Sequence, residues 1–213
     1  MIKVLIADDH TIVREGLKQI VRDTCDIRVA DEARNGQDVL DKINKQHFDV
    51  IVLDISMPGM NGIEVLKSIH SQKPKLPVLI LSIYPEEQYA IRVLRSGASG
   101  YLTKESASDE LINAIRKISA GGKYITHSLA EKLALAIDEN TERPLYETLS
   151  DREFQVLKLI ASGKTINDIA DRLCLSEKTV STYRSRILEK MKMKNNSELM
   201  HYAIQHGLTE QSV

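Results

Sequence analysis

Three carboxylates, a hydroxyl and an ammonium stand at the ends of short apolar runs. Asp8 and Asp9 follow Val4-Leu5-Ile6-Ala7, and Asp54 follows Val50-Ile51-Val52-Leu53. Ser82 closes the run that begins at Val78, and Lys104 follows Ser99 to Thr103. If these runs are strands of one parallel sheet, the five groups collect at its carboxyl edge, where such sheets place their chemistry. Acids so close together repel one another unless a cation sits among them. An all-oxygen set of this kind suits Mg2+, which binds through a few carboxylates and keeps several waters. An aspartate can also act as a nucleophile and become an aspartyl phosphate. Lys104 and Ser82 can then neutralise or hydrogen-bond the phosphoryl oxygens. A lone aspartate after a strand is usually a helix cap, but that reading does not explain five groups at matching strand ends.

A second cluster points to different chemistry. Between Lys178 and Lys194 stand six basic residues (Lys178, Arg184, Arg186, Lys190, Lys192, Lys194) and one acid, Glu189, a local net of 6 − 1 = +5. The whole chain carries −1, so this patch is a local feature. On charge alone, a basic patch inside a neutral chain can be a phosphate-binding footprint or simply a solvated helix face. Val180, Ile187, Leu188 and Met191 recur at helical spacing and mark a packed face. The other face carries Lys178, Ser181, Thr182, Ser185, Arg186 and Glu189. Small hydroxyls flanked by cations suit a helix lying in a DNA major groove: short side chains permit close approach and cations find phosphates.

The elements that must position these groups follow from periodicity. Helical spacing appears over Thr11–Arg22, Asp38–Gln46, Gly62–Ser71, Glu86–Ser96 and Ser108–Ala120, and Ile27–Ala33 supplies one more strand. Five strands alternating with five helices imply a doubly wound parallel sheet over residues 1–122. Residues 123–148 read as a connector, with a short helix over Leu129–Ile137 and a polar, proline-containing linker over Asp138–Pro144. Residues 149–213 read as four short helices. Ser150 with Glu153 fits a capping box, and Ser176 and Ser197 fit as later caps. The helix beginning near Thr165, with Ile169, Ala170 and Leu173 inward, would support the basic helix across the DNA backbone.

Bulk properties narrow the setting. The chain has 213 residues, 42% of them hydrophobic, enough for two ordinary cores. No run approaches the ~18 apolar residues of a membrane span, and the first residues do not form a secretory signal. A cytoplasmic protein without membrane contact is expected. Cys25 and Cys174 are expected to be reduced packing residues.

The site residues carry a resemblance. Ile6-Ala7-Asp8-Asp9-His10, Leu53-Asp54-Ile55-Ser56-Met57-Pro58-Gly59, Ser82 and Tyr101-Leu102-Thr103-Lys104 resemble the receiver domain of two-component response regulators. Leu149-Ser150-Asp151-Arg152-Glu153, Ile169-Ala170 and Leu175-Ser176-Glu177-Lys178-Thr179-Val180 resemble a LuxR-type helix-turn-helix. Together they resemble the NarL/FixJ class along nearly the whole chain. The resemblance implies a five-stranded flavodoxin-like receiver followed by an all-α four-helix DNA-binding domain. It implies that Asp54 is the phosphoacceptor, and that Asp8, Asp9, Asp54 and the Ser56 carbonyl hold Mg2+. Ser82, Lys104 and Tyr101 would be the switch residues, with Tyr101 turning inward as Ser82 moves toward the phosphoryl group. Ser181, Thr182 and Ser185, with Arg186 on the same face, would meet bases and phosphates, and Lys178, Thr179 and Tyr183 would touch backbone. The implied partners are a sensor histidine kinase, promoter DNA, a second copy of the chain on activation, and RNA polymerase.

The sequence departs from the family at Glu105, where many receivers have proline, and at Ile166-Asn167-Asp168, where Asn-Lys-Glu is usual. Two other readings stand beside this one. A phosphohydrolase of the haloacid-dehalogenase type needs an acid two residues beyond its nucleophile, where this chain has Ser56. A receiver working without phosphorylation would not require the complete acidic set. No turnover enzyme is expected.

Overall fold

The computed structural model describes residues 1–126, 129–131 and 144–209. The chain divides into two compact units, Met1–Glu139 and Asn140–Val213.

The first unit alternates β1 (Ile2–Ala7), α1 (Thr11–Arg22), β2 (Ile27–Ala33), α2 (Gly36–Lys45), β3 (Val50–Asp54), α3 (Gly62–Gln72), β4 (Val78–Ser82), α4 (Glu86–Arg95), β5 (Gly100–Thr103) and α5 (Ala107–Ser119). The strands form one parallel sheet in the order β2-β1-β3-β4-β5. This is the flavodoxin-like order, and its direction of winding reverses between β1 and β3. The crevice outside those two strand ends is therefore the expected ligand site, and Asp8, Asp9 and Asp54 stand there.

Side-chain alternation divides the core. Val4, Ile6, Val50, Val52, Leu79, Leu81 and Leu102 pack with Leu17 and Val21 of α1 and with Leu111, Ala114, Ile115 and Ile118 of α5. The alternate residues Leu5, Ile51, Leu53 and Ile80 are equally buried on the opposite face. All five residues of β3 are buried, as a central parallel strand requires.

Helix α2 begins two residues before the periodicity suggests, because Asn35 caps it by accepting from the Asp38 amide at 2.9 Å. After α5, Tyr124 bridges to Gly100, and its amide donates to the Ser99 carbonyl at 2.8 Å. Thr126 donates to Glu86 of α4 at 2.6 Å. The connector thus starts by sealing the β5 edge. The helix expected over Leu129–Ile137 is helical through Glu131 and then passes outside the described residues, as does the expected linker up to Pro144.

The second unit holds a short 3-10 turn, Leu145–Thr148, then α6 (Asp151–Ala161), α7 (Ile166–Leu173), α8 (Glu177–Lys190) and α9 (Asn196–Gln205). Phe154, Leu157, Ile160, Ile169, Val180, Ile187, Met191, Leu199 and Ala203 are buried in it. Ser150 and Glu153 form the expected capping box, and Ser176 caps α8. The cap of α9 is Asn195 rather than Ser197. Asn195 Oδ1 accepts from the Glu198 amide at 3.0 Å, and Glu198 returns a carboxylate to the Lys194 amide at 2.9 Å. Both cysteines are unpaired, but they are exposed rather than packed. Cys25 lies in the turn after α1, and Cys174 takes a left-handed backbone (φ 53°) between α7 and α8.

Gly62 opens α3 directly against the end of β3, and its amide donates to the Ile55 carbonyl at 3.1 Å. A Cβ there would lie 2.2 Å from the Asp54 carbonyl oxygen and 2.7 Å from Ile55 Cα, so backbone would have to move. We expect Gly62→Ala to destabilise the first unit by about 1–3 kcal/mol, the usual effect of overpacking. Urea denaturation checks this, and an unchanged midpoint would contradict the close approach.

Candidate functional site

The acidic pocket is built from two loops and a strand end. Asp8 is buried and held at both oxygens: Oδ1 accepts from the His10 amide at 2.8 Å, and Oδ2 lies 2.7 Å from Lys104 Nζ. Asp54, the last residue of β3, is 1% exposed. Its Oδ2 accepts from Lys104 Nζ at 3.1 Å, and its Oδ1 is buried without a hydrogen-bond partner. Ligand atoms of Asp8, Asp9, His10 and Asp54 all lie within 4.8 Å of one another. Lys104 is carried in by β5, where its amide donates to the Ser82 carbonyl at 2.7 Å. The Lys104–Glu105 peptide is trans.

Burial raises the Asp54 carboxyl above its ordinary value; Lys104 opposes that, and the nearby Asp8 charge adds to it. For Lys104, burial works to lower the pKa, but the charges of Asp54 and Asp8 outweigh it and the net shift is upward. The ammonium is therefore firmly charged and shared between two acids.

Ser82 and Tyr101 form a second layer. Ser82 is fully buried, and its Oγ accepts from the Tyr84 amide at 3.1 Å. Tyr101 is also fully buried and donates its hydroxyl to the Tyr84 carbonyl at 2.7 Å. Burial raises its pKa above the ordinary value, opposed by a hydrogen bond with Ser82. The inward turn expected on phosphorylation is thus already made in this structure. The sheet register sets Asp54 beside Leu81 and Ser82 beside Thr103, so Ser82 stands one step beyond Asp54 along the strands.

Three residues at the site have no role in the sequence reading. Arg14 is 2% exposed on α1 and donates to the Asp8 carbonyl at 2.9 Å, to Glu32 at 2.9 Å and to Thr11 at 3.2 Å. It fixes the backbone that presents Asp8. Its signal was available: Arg14, Leu17 and Val21 share one helical stripe, so a cation occupies a core position. Asn61 caps α3 through the Ile63 amide at 2.9 Å, next to Gly62. His10 directs its ring at the acids, with Nδ1 2.8 Å from Asp9 Oδ1.

In the second unit, α8 shows the expected division of faces. Lys178, Ser181, Thr182, Ser185, Arg186 and Glu189 are exposed, and Thr179 and Tyr183 are half-buried. Ser185 and Thr182 donate to carbonyls one turn back, Ser181 and Lys178, leaving their oxygen lone pairs outward. Two of the six cations are used internally. Lys190 pairs with buried Glu153 at 2.6 Å, and Arg184 donates to Asn196 at 2.6 Å. For Glu153, burial pushes the pKa up, but Lys190 and the Ser150 cap outweigh it and the net shift is downward. Lys178 and Arg186 have no acidic partner among the described residues.

Residues 4–116 match the response regulator receiver domain, and residues 147–203 match the luxR family of bacterial regulatory proteins. The chain is 38% identical to the response regulator UvrY of Escherichia coli (strain K12), over 98% of this chain and 96% of that one. It is 36% identical to the response regulator GacA of Pseudomonas aeruginosa, over 99% of each. The chain is a response regulator of the NarL/FixJ family. Among solved structures, Salmonella RcsB bound to promoter rprA in the presence of phosphomimetic BeF3− resembles this regulator with a TM-score of 0.66 and 27% identity, over 95% of this chain and 98% of that one. Two RcsB dimers bound to two parallel DNAs give 0.59 at 27%, with the same coverage. The regulator therefore joins a two-component receiver to a LuxR-type DNA-binding domain. No helix among the described residues is long and apolar enough to cross a membrane.

The buried Asp54 charge has a stability consequence. Its folded pKa lies above the ordinary 3.8, so the destabilisation is absent below about pH 3.8, grows as pH rises from there, and is fully present once pH is above the folded value. With a chelator present, Asp54→Asn is expected to melt above wild type at pH 7, with the gap closing toward pH 4. A variant less stable than wild type at pH 7 would contradict this electrostatic assignment.

Proposed function

We propose that Asp54 accepts a phosphoryl group from a sensor histidine kinase and that the change is read out as binding of a homodimer to promoter DNA. The observation that supports this most is the state of Asp54. It is a buried carboxylate at the switch point of the sheet, with one oxygen on Lys104 and the other unpartnered. A buried orphan oxygen beside further carboxylates fits a divalent cation, and the all-oxygen donors Asp8, Asp9, Asp54 and the Ser56 carbonyl suit Mg2+. When bound, Mg2+ supplies positive charge where carboxylates and phosphoryl oxygens crowd together.

This chain's own residues do the rest. A carboxylate oxygen of Asp54 forms the new bond to phosphorus as the bond from phosphorus to the donor imidazole nitrogen breaks. The imidazole leaves with its electron pair and takes a proton. Lys104 leaves the two acids and follows the phosphoryl oxygens, to which its ammonium can donate. Ser82 gives up its bond with Tyr101 to hydrogen-bond the same group. With Tyr101 already inward, its link to the Tyr84 carbonyl is the structure that phosphorylation locks.

We assign the receiver to residues 1–122, its connector to 123–148 and the DNA-binding domain to 149–213. Helix α8 enters the major groove, with Ser181, Thr182, Ser185 and Arg186 toward bases and Lys178, Thr179 and Tyr183 on backbone. RcsB dimers on DNA support the dimeric form. A cytoplasmic location, contact with RNA polymerase and the absence of a turnover activity complete the proposal.

Two experiments test it. Incubated with acetyl phosphate and Mg2+ and weighed, wild type should gain one phosphoryl group; Asp54→Asn should gain none, and Asp9→Ala should gain it much more slowly. A phosphorylated Asp54→Asn would overturn the assignment. In binding assays, Lys178→Ala should weaken all duplexes alike and lessen the salt dependence, whereas Ser185→Ala should mainly alter sequence preference. Equal losses on every duplex from both substitutions would contradict this division of roles.

A further inference from the structure

The β4–α4 loop makes three contacts on alternate residues. Ser82 Oγ accepts from the Tyr84 amide at 3.1 Å, and the Tyr84 carbonyl accepts from the Tyr101 hydroxyl at 2.7 Å. Glu86, two residues further on, accepts from the Thr126 hydroxyl at 2.6 Å. The first two contacts belong to the phosphoryl switch; the third leaves it for the connector. Thr126 Oγ1 accepts in turn from the Leu129 amide at 3.2 Å, and its carbonyl from the Ala130 amide at 3.0 Å. Thr126 therefore caps the helical residues 129–131. Leu129, in that turn, is 1% exposed.

The loop is stiff enough to carry a shift from Tyr84 to Glu86. Pro85 stands between them, its φ of −58° held by its ring. Tyr84 stacks on Tyr89 of α4 with ring centroids 4.9 Å apart, which packs the loop onto that helix. Glu86 also acts on Tyr101: burial raises the tyrosine's pKa first, and the Glu86 charge adds to the rise. Other connector anchors go elsewhere. Tyr124 bridges to Gly100 of β5 and donates its hydroxyl to Glu110 of α5 at 2.8 Å, and Lys123 donates to the Ala98 carbonyl at 2.7 Å. Those contacts hold the connector to the sheet edge without touching the loop.

We propose that the Glu86–Thr126 hydrogen bond passes the state of the receiver to the connector. Phosphorylation, by locking Tyr84 and Tyr101, locks Glu86 onto Thr126 and firms the helical start that Thr126 caps. Without the phosphoryl group the loop opens more often, and the cap opens with it. This rests on reading Asp54 as the phosphoacceptor. Coupling of this kind needs an element with two states that both ends bias, and the β4–α4 loop is that element.

The test is amide hydrogen exchange at Leu129 and Ala130 in the full chain, read by NMR with and without acetyl phosphate and Mg2+. In wild type the phosphodonor should slow exchange at both amides about fivefold or more, the lower end of ordinary coupling between sites. Glu86→Ala leaves Thr126 and its cap in place. It should take up the phosphoryl group as wild type does, but the two conditions should then differ by less than about twofold. Glu86→Gln keeps an acceptor for the hydroxyl and should retain most of the slowing. If Glu86 only steadies the helix, Glu86→Ala will exchange faster in both conditions and keep the wild-type ratio, and that result overturns the proposal. A wild type that is fully phosphorylated by mass yet shows no slowing overturns it too, and leaves Asp54 as phosphoacceptor intact. If wild type gains no phosphoryl group, the reading of Asp54 fails and the proposal falls with it.

Discussion

The central constraint on the receiver is electrostatic. Asp8 and Asp54 are buried close together with Asp9 beside them, and the ammonium of Lys104 is shared between the two buried acids. Three negative charges facing one firmly bound positive charge leave a deficit in a poorly hydrated place. Burial first, with the Asp8 charge adding to it, drives the Asp54 pKa upward, so the fold holds this carboxylate against its own solvation preference. A site in that condition is primed to take up positive charge and to rearrange when a phosphoryl group brings further negative charge.

The fold exists around that condition. The sheet order β2-β1-β3-β4-β5 sets the ends of β1 and β3 side by side at the point where winding reverses. Arg14 pins the Asp8 backbone from beneath, and Gly62 lets α3 start against the Asp54 carbonyl, where no larger residue fits. The β4 end carries Ser82, whose hydroxyl is tied to Tyr84 and Tyr101. The strain of the pocket is thus linked to an aromatic one strand away. The DNA-binding unit follows a similar economy. Lys190 and Arg184 fasten α8 to its neighbours through Glu153 and Asn196, and Lys178 and Arg186 stand exposed on its other face.

Much of this was legible in the sequence. Strand ends were, because buried parallel strands read as unbroken apolar runs and their following residues carry the chemistry. Ser150 with Glu153 announced a helix start from a spacing of three. The same spacing joins Asn195 to Glu198, yet the residue types pointed to Ser197, since the choice rests on which side chain reaches an amide. Arg14 sits on the apolar stripe of α1, but a cation there normally marks a boundary, and its partner Glu32 lies on β2. The orientation of Tyr101 depends on a carbonyl seventeen positions away, Tyr84, which no local pattern encodes. The cysteines read as packing residues by type but sit in turns, where the chain bends away from the core.

The claim that a shared ammonium partly offsets an unbalanced acidic pocket is tested most directly by Mg2+ affinity in Lys104→Met. Removing that positive charge should deepen the deficit, so the unphosphorylated variant should bind Mg2+ about tenfold more tightly than wild type, a change of about 1.4 kcal/mol. A variant that folds normally and binds Mg2+ no more tightly than wild type would contradict the account.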